Sequence, residues 1–448
     1  MANSVNLNAM LEQRWRNTVR ERGNDLALSQ PATGETWTFQ QLAEAADGVA
    51  EPDEPGLSFP VGHNVGFILT VLRAWRSGTP ICPLEVGQPA PAIPRPPPKI
   101  AHLKLTSGTT GAARCVAFTA SQLGADADAI VTTMGLDPKF PNLGVISLAH
   151  SYGFSNLILP LLLHGIPLFL VPSPLPGALA RVVAAYPLIH FTLPAVPALW
   201  RAWHEAGVIP RNLHRAISAG APLPLPLEEA VFERVGVKLH NFLGSSECGG
   251  IAYDSTESPR TDARIAGTPL HQVKLTRAAD GCLEVRSPGV GEDYWPEAEA
   301  SLQGGLFRTP DLVELSAGGE VLLLGRSVDV INVAGRKVLP DTIESALRLH
   351  PELRDCLVLG LPAEESRGEI IAAVFEAATP LSHDQLTTFL QRRLPAWQMP
   401  RRWRFCLKKQ ILLHITSLPS RSAASSIAAH FSPFSFFPAG SNLGSVHL

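Results

Sequence analysis

Apolar and polar positions alternate with different periods along the chain, and the changes of period divide it. From Leu7 to Ala50 the spacing predicts a helix, a strand and a second helix. Trp37-Thr38-Phe39 is strand-like, and Thr38 is placed to cap a helix from Gln40 onward. Val65 to Trp75 carries apolar residues at helical spacing, and Thr79 to Leu84 reads as a short buried strand. A proline-rich connector, Pro89 to Pro98, is expected to be extended. From Ile100 the pattern becomes strand, glycine-rich turn and helix. His102 to Leu105 is a strand leading into the turn Thr106 to Gly111, with a polar helix after it. Val145 to Ser147, Pro167 to Val171, His190 to Leu193, Arg215 to Ser218 and Lys238 to Phe242 are further strands, with Phe154 to His164 a helix among them. Such alternation predicts an α/β fold around a largely parallel sheet.

After about Ala263 the texture turns to short strands joined by glycine turns: Val273 to Leu275, Cys282 to Arg286, Asp311 to Leu315 and Glu320 to Leu324. They predict a small antiparallel, barrel-like subdomain. Near Ser327 a final α+β unit begins, with helices at Asp341 to Leu349 and Ser382 to Arg393 and strands at Asp355 to Gly360 and Glu369 to Phe375. The expected organisation is a large domain over 1–326, a small mobile domain over 327–405 and an atypical tail over 406–448. Ile411 to Leu448 keeps neither period and has a single charged residue, Arg421, so it does not read as a normal domain end.

Composition narrows the classes. A chain of 448 residues with 45% hydrophobic and 17% charged residues is globular and too long for one core. A net charge of −3 gives no electrostatic case for nucleic acid or an anionic membrane. Met1 to Arg22 lacks an apolar run and does not read as a signal peptide. The greasiest stretch, Asn156 to Val171, is broken by Pro160, Gly165 and Pro167, so no membrane span is expected. Six scattered cysteines without a CxxC pair read as reduced thiols of a cytoplasmic protein.

Three constellations carry chemistry. In Thr106-Ser107-Gly108-Thr109-Thr110-Gly111, glycines and hydroxyls follow a strand, and backbone N–H groups there can hold phosphate oxygens, with Arg114 adding a cation. A plain mobile turn is the alternative, and the loop is not a Walker A motif. In Gly244-Ser245-Ser246-Glu247 a tight turn exposes two hydroxyls beside a carboxylate suited to Mg²⁺. The same turn is one residue from a Gly-x-Ser-x-Gly elbow, which keeps a serine hydrolase using Ser246 open. Arg308-Thr309-Pro310-Asp311 and Gly325-Arg326 suit a ribose and a phosphate, or a surface salt bridge.

Taken in order, these segments resemble the adenylate-forming acyl-CoA synthetases, with luciferases and nonribosomal-peptide adenylation domains. Thr106 to Arg114 resembles the family's phosphate loop. Ala149-His150-Ser151-Tyr152-Gly153 resembles its histidine–glycine segment beside the acyl channel. Ser218-Ala219-Gly220-Ala221-Pro222 resembles its adenine-side glycine loop, and Gly244 to Glu247 its Gly-x-Ser/Thr-Glu turn. Arg308 to Asp311 resembles its Arg-Thr-Gly-Asp, and Gly325 to Pro340 its hinge and the loop lining the CoA tunnel. The resemblance runs over roughly residues 8 to 400. It implies that a small carboxylic acid and ATP give an acyl-adenylate, then a thioester with CoA or with the phosphopantetheine of an acyl carrier protein, releasing AMP. By the same implication His150, Glu247 and Arg326 are catalytic, Glu247 holds Mg²⁺, Asp311 holds the ribose, and Gly335 lets pantetheine approach. A non-catalytic nucleotide- or acyl-binding descendant is the alternative.

The chain departs from the family pattern in places. The loop's Pro-Lys is Ala113-Arg114, the aromatic before the Gly-x-Ser-Glu turn is Leu243, the glycine of Arg-Thr-Gly-Asp is Pro310, and the polar hinge residue is Val328. The family places a Gly-Lys about 15–20 residues after the segment matching Leu394 to Pro400; here that region reads His414 to Pro419, and no lysine follows Lys409. The abrupt change of composition reads as a shift of reading frame, with a divergent tail as the alternative. An impaired adenylation step is expected.

Overall fold

The computed structural model describes residues 9–48, 56–106, 114–333, 336–362, 369–377, 381–405 and 437–438. The chain divides into two compact units: 1–278, 283–309 and 315–322 make the first, and 279–282, 310–314 and 323–448 the second.

The first unit is built on strands lying in the order Leu239–Ser245, Leu213–Ser218, Phe191–Ala195, Asn142–Gly144, Leu168–Leu170 and Leu26–Gln30, every neighbouring pair parallel. Parallel neighbours cannot be joined by a tight turn, so each crossover carries a helix. These helices include Leu159–His164, Pro176–Ala185, Pro197–Ala206 and Leu225–Val235. Covered on both faces, Leu168–Leu170 and Phe191–Ala195 are buried at every position, which is why they read as unbroken apolar runs. Thr38 caps the helix Phe39–Asp47 reciprocally: its hydroxyl accepts from Gln41 N at 3.2 Å, and its own N–H donates to Gln41 Oε1 at 2.8 Å.

The antiparallel part follows. Leu239–Ser245 turns back into Gly249–Tyr253, which pairs with Ile265–Pro269. Lys274–Arg277 pairs with Cys282–Arg286. The described cysteines Cys82, Cys115, Cys248, Cys282 and Cys356 are buried and free.

Four expectations need correction. Thr79 to Leu84 is buried but is not a strand: Pro80 and Pro83 leave only isolated bridges at Ile81 and Leu84, because proline lacks the N–H a ladder needs. The segment after the loop that follows His102–Leu105 is not a helix but the antiparallel strand Cys115–Phe118, and the helix starts at Ala120. The strand expected at Val145 to Ser147 lies at Asn142–Gly144, which frees Val145 to Ser147 as loop. Asp311 is not at a strand start but inside the strand Leu306–Leu315.

In the second unit Ile331–Val333 and Arg336–Val338 form a hairpin before the helix Pro340–Leu347. Leu353–Pro362 pairs antiparallel with Glu369–Ala377, whose other edge takes Arg402–Phe405 in parallel. Ile343, Leu347, Val358, Phe375, Leu386, Leu390 and Trp403 make its core. From Ile411 onward only Phe437–Pro438 is described, paired with Arg402 and Trp403.

Candidate active site

Four neighbouring parallel strands end at one place in the first unit. Val145 to Ser147 follow Asn142–Gly144, Val196 follows Phe191–Ala195, Ala219 and Gly220 follow Leu213–Ser218, and Gly244 to Ser246 close Leu239–Ser245. All of them line one cavity of about 600 Å³. Ligands of open α/β sheets bind at these carboxyl ends, and the volume suits a small-molecule site. The opposite wall comes from the helical stretch that begins at Ser151 and contains the π-helical turn Phe154–Ile158, with His150, Tyr152, Ser155 and Asn156.

The polar turn Gly244 to Ser246 needs glycine for steric reasons. A Cβ on Gly244 would lie 2.8 Å from the carbonyl oxygen of Gly249, and Gly249 itself has φ +67° with the Asp126 carboxylate where a Cβ would stand. Within the turn Ser245 Oγ accepts from Glu247 N at 3.2 Å. Glu247 Oε1 accepts from the Tyr294 hydroxyl at 3.0 Å. Burial, and then that carboxylate, push the Tyr294 phenol upward, so it stays a donor. Arg114 stacks its guanidinium 3.6 Å from the Tyr294 ring centroid and pairs with Glu299 at 2.5 Å. Thr106 donates to Arg114 O from both its N and its Oγ1, at 3.1 Å each. The ends of the glycine–threonine loop are therefore tied together and, through Tyr294, to Glu247.

At the rim His150 is mostly exposed, 3.2 Å from Glu85, which also accepts from the Ser147 hydroxyl. Behind Ser155 lies a buried charge cluster. Ser155 donates to Asp126 Oδ2 at 2.7 Å, Lys104 Nζ donates to Ser155 Oγ at 3.4 Å, and Lys104 and Asp126 are 4.0 Å apart. Burial lowers the Lys104 pKa, with Asp126 acting against it.

The structure brings together His150, Gly220, Gly244, Ser245 and Ser246 around the cavity, and joins Thr106, Arg114 and Glu247 through Tyr294. Ala221 and Pro222 continue from Gly220 outside the lining. Asp311 and Arg326 belong to the second unit and lie 3.5 Å apart. Ser107, Gly108, Thr109, Thr110, Gly111 and Gly335 lie outside the described residues. The Ser246 turn joins two antiparallel strands, whereas a nucleophile elbow joins a strand to a helix. Sequence reasoning did not find Tyr294, Glu85, Asp126 or Lys104. Only Lys104 carried a signal, as a lone charge inside an apolar strand.

The residues also fit a nucleotide with its metal. Among the described residues no cluster of three His, Cys, Asp or Glu side chains could hold a metal alone. Glu247 offers one carboxylate, and Mg²⁺ is commonly held by one or two carboxylates plus phosphate oxygens.

A family model described as AMP-binding enzyme matches residues 60–295, more than half of the 448-residue chain. The chain belongs to that family. The long-chain-fatty-acid–CoA ligase of Escherichia coli O157:H7 is 26% identical over 329 residues, covering 68% of this chain and 58% of the relative. The 2-succinylbenzoate–CoA ligase of Geobacillus kaustophilus is 28% identical over 321 residues, covering 68% of this chain and 65% of the relative. In each, the match spans less than two thirds of the relative's length. The fold is that of ATP-bound MatB from Rhodopseudomonas palustris (TM-score 0.79, 18% identity, 93% of this chain and 99% of that one). It is also that of the Bacillus subtilis o-succinylbenzoate CoA synthetase MenE in complex with the acyl-adenylate OSB-AMP (TM-score 0.74, 21% identity, 88% of this chain and 94% of that one). No helix among the described residues is long and apolar enough to cross a membrane.

Proposed function

We propose that the chain is an acid–thiol ligase. It activates a carboxylic acid with ATP to an acyl-adenylate, releasing pyrophosphate, and passes the acyl group to the thiol of CoA or of a carrier-protein phosphopantetheine, releasing AMP. One observation carries this reading: the Gly244-Ser245-Ser246 turn, with Glu247 beside it, opens at the carboxyl ends of parallel strands into a cavity also lined by Val145, Ile146, Val196, Leu199 and Phe242. The turn's hydroxyls and backbone N–H groups face the phosphates, and Arg114 adds a cation. Glu247 holds Mg²⁺, which neutralises phosphate charge when bound. Asp311 takes the ribose, Arg326 a phosphate or ribose oxygen, and residues 327–405 act as the mobile small domain with Gly335 on the pantetheine path. Phosphoryl chemistry of this kind needs positioning and charge neutralisation more than a nucleophilic side chain.

ATP with Mg²⁺ is expected to raise the melting temperature, and GTP to do so less. At about 100 Kd the stabilisation is roughly 2.7 kcal/mol. Unchanged melting with millimolar ATP, AMP or an acyl-adenylate analogue would dispose of the proposal. Glu247→Gln keeps the shape and the Tyr294 hydrogen bond but removes the anion. The Mg²⁺ concentration needed for half of the ATP-induced shift is expected to rise about tenfold, equivalent to ~1.4 kcal/mol. An unchanged Mg²⁺ midpoint would make Glu247 a structural carboxylate only.

A further inference from the structure

Asp126 stands outside the cavity lining but holds segments that form it. It is 2% exposed, on the helix Ala120–Met134. Its Oδ1 accepts from Gly250 N at 3.0 Å, and its Oδ2 accepts from Ser155 Oγ at 2.7 Å. Gly250 and Ser155 both line the cavity, one from the strand that follows the Gly244 to Glu247 turn, the other from the π-helical turn. Lys104 Nζ, 4.0 Å from Asp126 Oδ2, belongs to the strand whose next residue, Leu105, lines the cavity as well.

The bond to Gly250 sits at the root of the polar turn. Gly250 is the cross-strand partner of Gly244, and Gly249 that of Ser245. A Cβ on Gly249 would fall on Asp126 Oδ1, so the carboxylate takes the place of a side chain there. A buried ion pair adds little stability over apolar side chains of similar shape, because desolvation offsets the attraction. What apolar side chains cannot do is accept hydrogen bonds from two walls at once.

We propose that Asp126 is a positioning residue for the nucleotide and its Mg²⁺. Through Gly250 it fixes where Ser245, Ser246 and Glu247 stand, and through Ser155 it fixes their separation from the helical wall. Lys104 is its counter-charge. The proposal rests on the ligase reading, which puts the nucleotide phosphates at that turn.

The test is binding by the full chain, with two double variants that both remove the buried pair. In Asp126→Asn/Lys104→Met the amide oxygen can accept from Gly250 N, and the amide nitrogen can donate to Ser155 Oγ. In Asp126→Leu/Lys104→Met the branched shape remains and both bonds are gone. The Kd for ATP with Mg²⁺ is measured by calorimetry well below the melting temperature of each variant, with the fold checked by circular dichroism. The asparagine double is expected to bind within about threefold of wild type, and the leucine double about tenfold more weakly. A merely structural carboxylate would change the melting temperature of the leucine double and not its Kd. Equal affinities in the two doubles, lowered or not, overturn the proposal and leave the ligase reading intact. A second measurement needs no variant. Hydrogen exchange of the Gly250 amide in the wild type is expected to be slow without ligand. Fast exchange that only ATP slows would show that the ligand, not Asp126, sets the turn, and this too overturns the proposal alone. If the wild type binds neither ATP nor AMP, the ligase reading falls and takes the proposal with it.

Discussion

Given ATP, Mg²⁺ and a carboxylic acid, the chain is expected to form acyl-adenylate about 10²–10³ times more slowly than a complete enzyme of this kind, a loss of about 3–4 kcal/mol in transition-state stabilisation. The expectation follows from the resemblance. In the family the resemblance identifies, a lysine of a Gly-Lys near the C-terminus meets the carboxylate and the α-phosphate, where negative charge develops. Here no lysine follows Lys409. The thioester step has different needs. By the same resemblance it uses the loop Asn332 to Pro340, whose flanking strands Ile331–Val333 and Arg336–Val338 form a paired hairpin. Supplied with synthetic acyl-adenylate and CoA, the chain is therefore expected to make thioester. Replacing residues after Phe405 with an ending that carries Gly-Lys should restore the first step. Adenylation by the chain as it stands at an ordinary rate of about 1–10³ s⁻¹ would show that another residue, Lys408 or Lys409 for instance, supplies the charge.

Glu228→Ala is expected to cost about 3–5 kcal/mol of stability, because it strands charges in the interior. Glu228 is fully buried on the helix Leu225–Val235. It accepts from Arg260 N at 3.0 Å and Arg260 Nε at 2.9 Å, and pairs with Lys238. Arg260 also donates to the carbonyls of Ile265 and Leu223 at 2.7 Å each, and Lys238 pairs with Asp254 at 2.8 Å. The network thus joins the helix, the start of the strand Leu239–Ser245 and the loop before Ile265–Pro269. Asp262→Ala, which removes the pair with the exposed Arg264 and the hydrogen bond from Arg264 N, serves as the contrast and should cost about 1 kcal/mol. Urea midpoints of the two variants decide the matter. Equal, small shifts would mean that water reaches Lys238 and Arg260.

The parallel sheet was legible because its strands are covered on both faces and its helices carry recognisable periods and caps. Thr38 announced its helix through the Gln three residues on. The Gly244 to Glu247 turn was legible because only small residues tolerate the contact with Gly249. What escaped depends on contacts far apart in sequence. Tyr294 meets Glu247 across 47 positions, and Asp126 meets Gly250 across 124. Gly249–Tyr253 and Asp293–Trp295 were missed because short strands lack a measurable period. The hairpin after His102–Leu105 was misread because glycine and threonine suit a strand–loop–strand as well as a strand–loop–helix.

The π-helical turn at Phe154–Ile158 bears on how such a pocket diversifies. A π turn holds one residue more than an α turn. Loss of one codon within it would restore regular α-helix and leave the residues on either side in phase, because the turn still completes one revolution. Ser155 and Asn156 sit inside that turn, so a single in-frame deletion can exchange a side chain that lines the cavity while Leu159–His164 keeps its packing. A point substitution alters one lining group in place, whereas this lesion removes one and moves its neighbour along the turn. It gives a lineage a one-step route to a differently lined cavity.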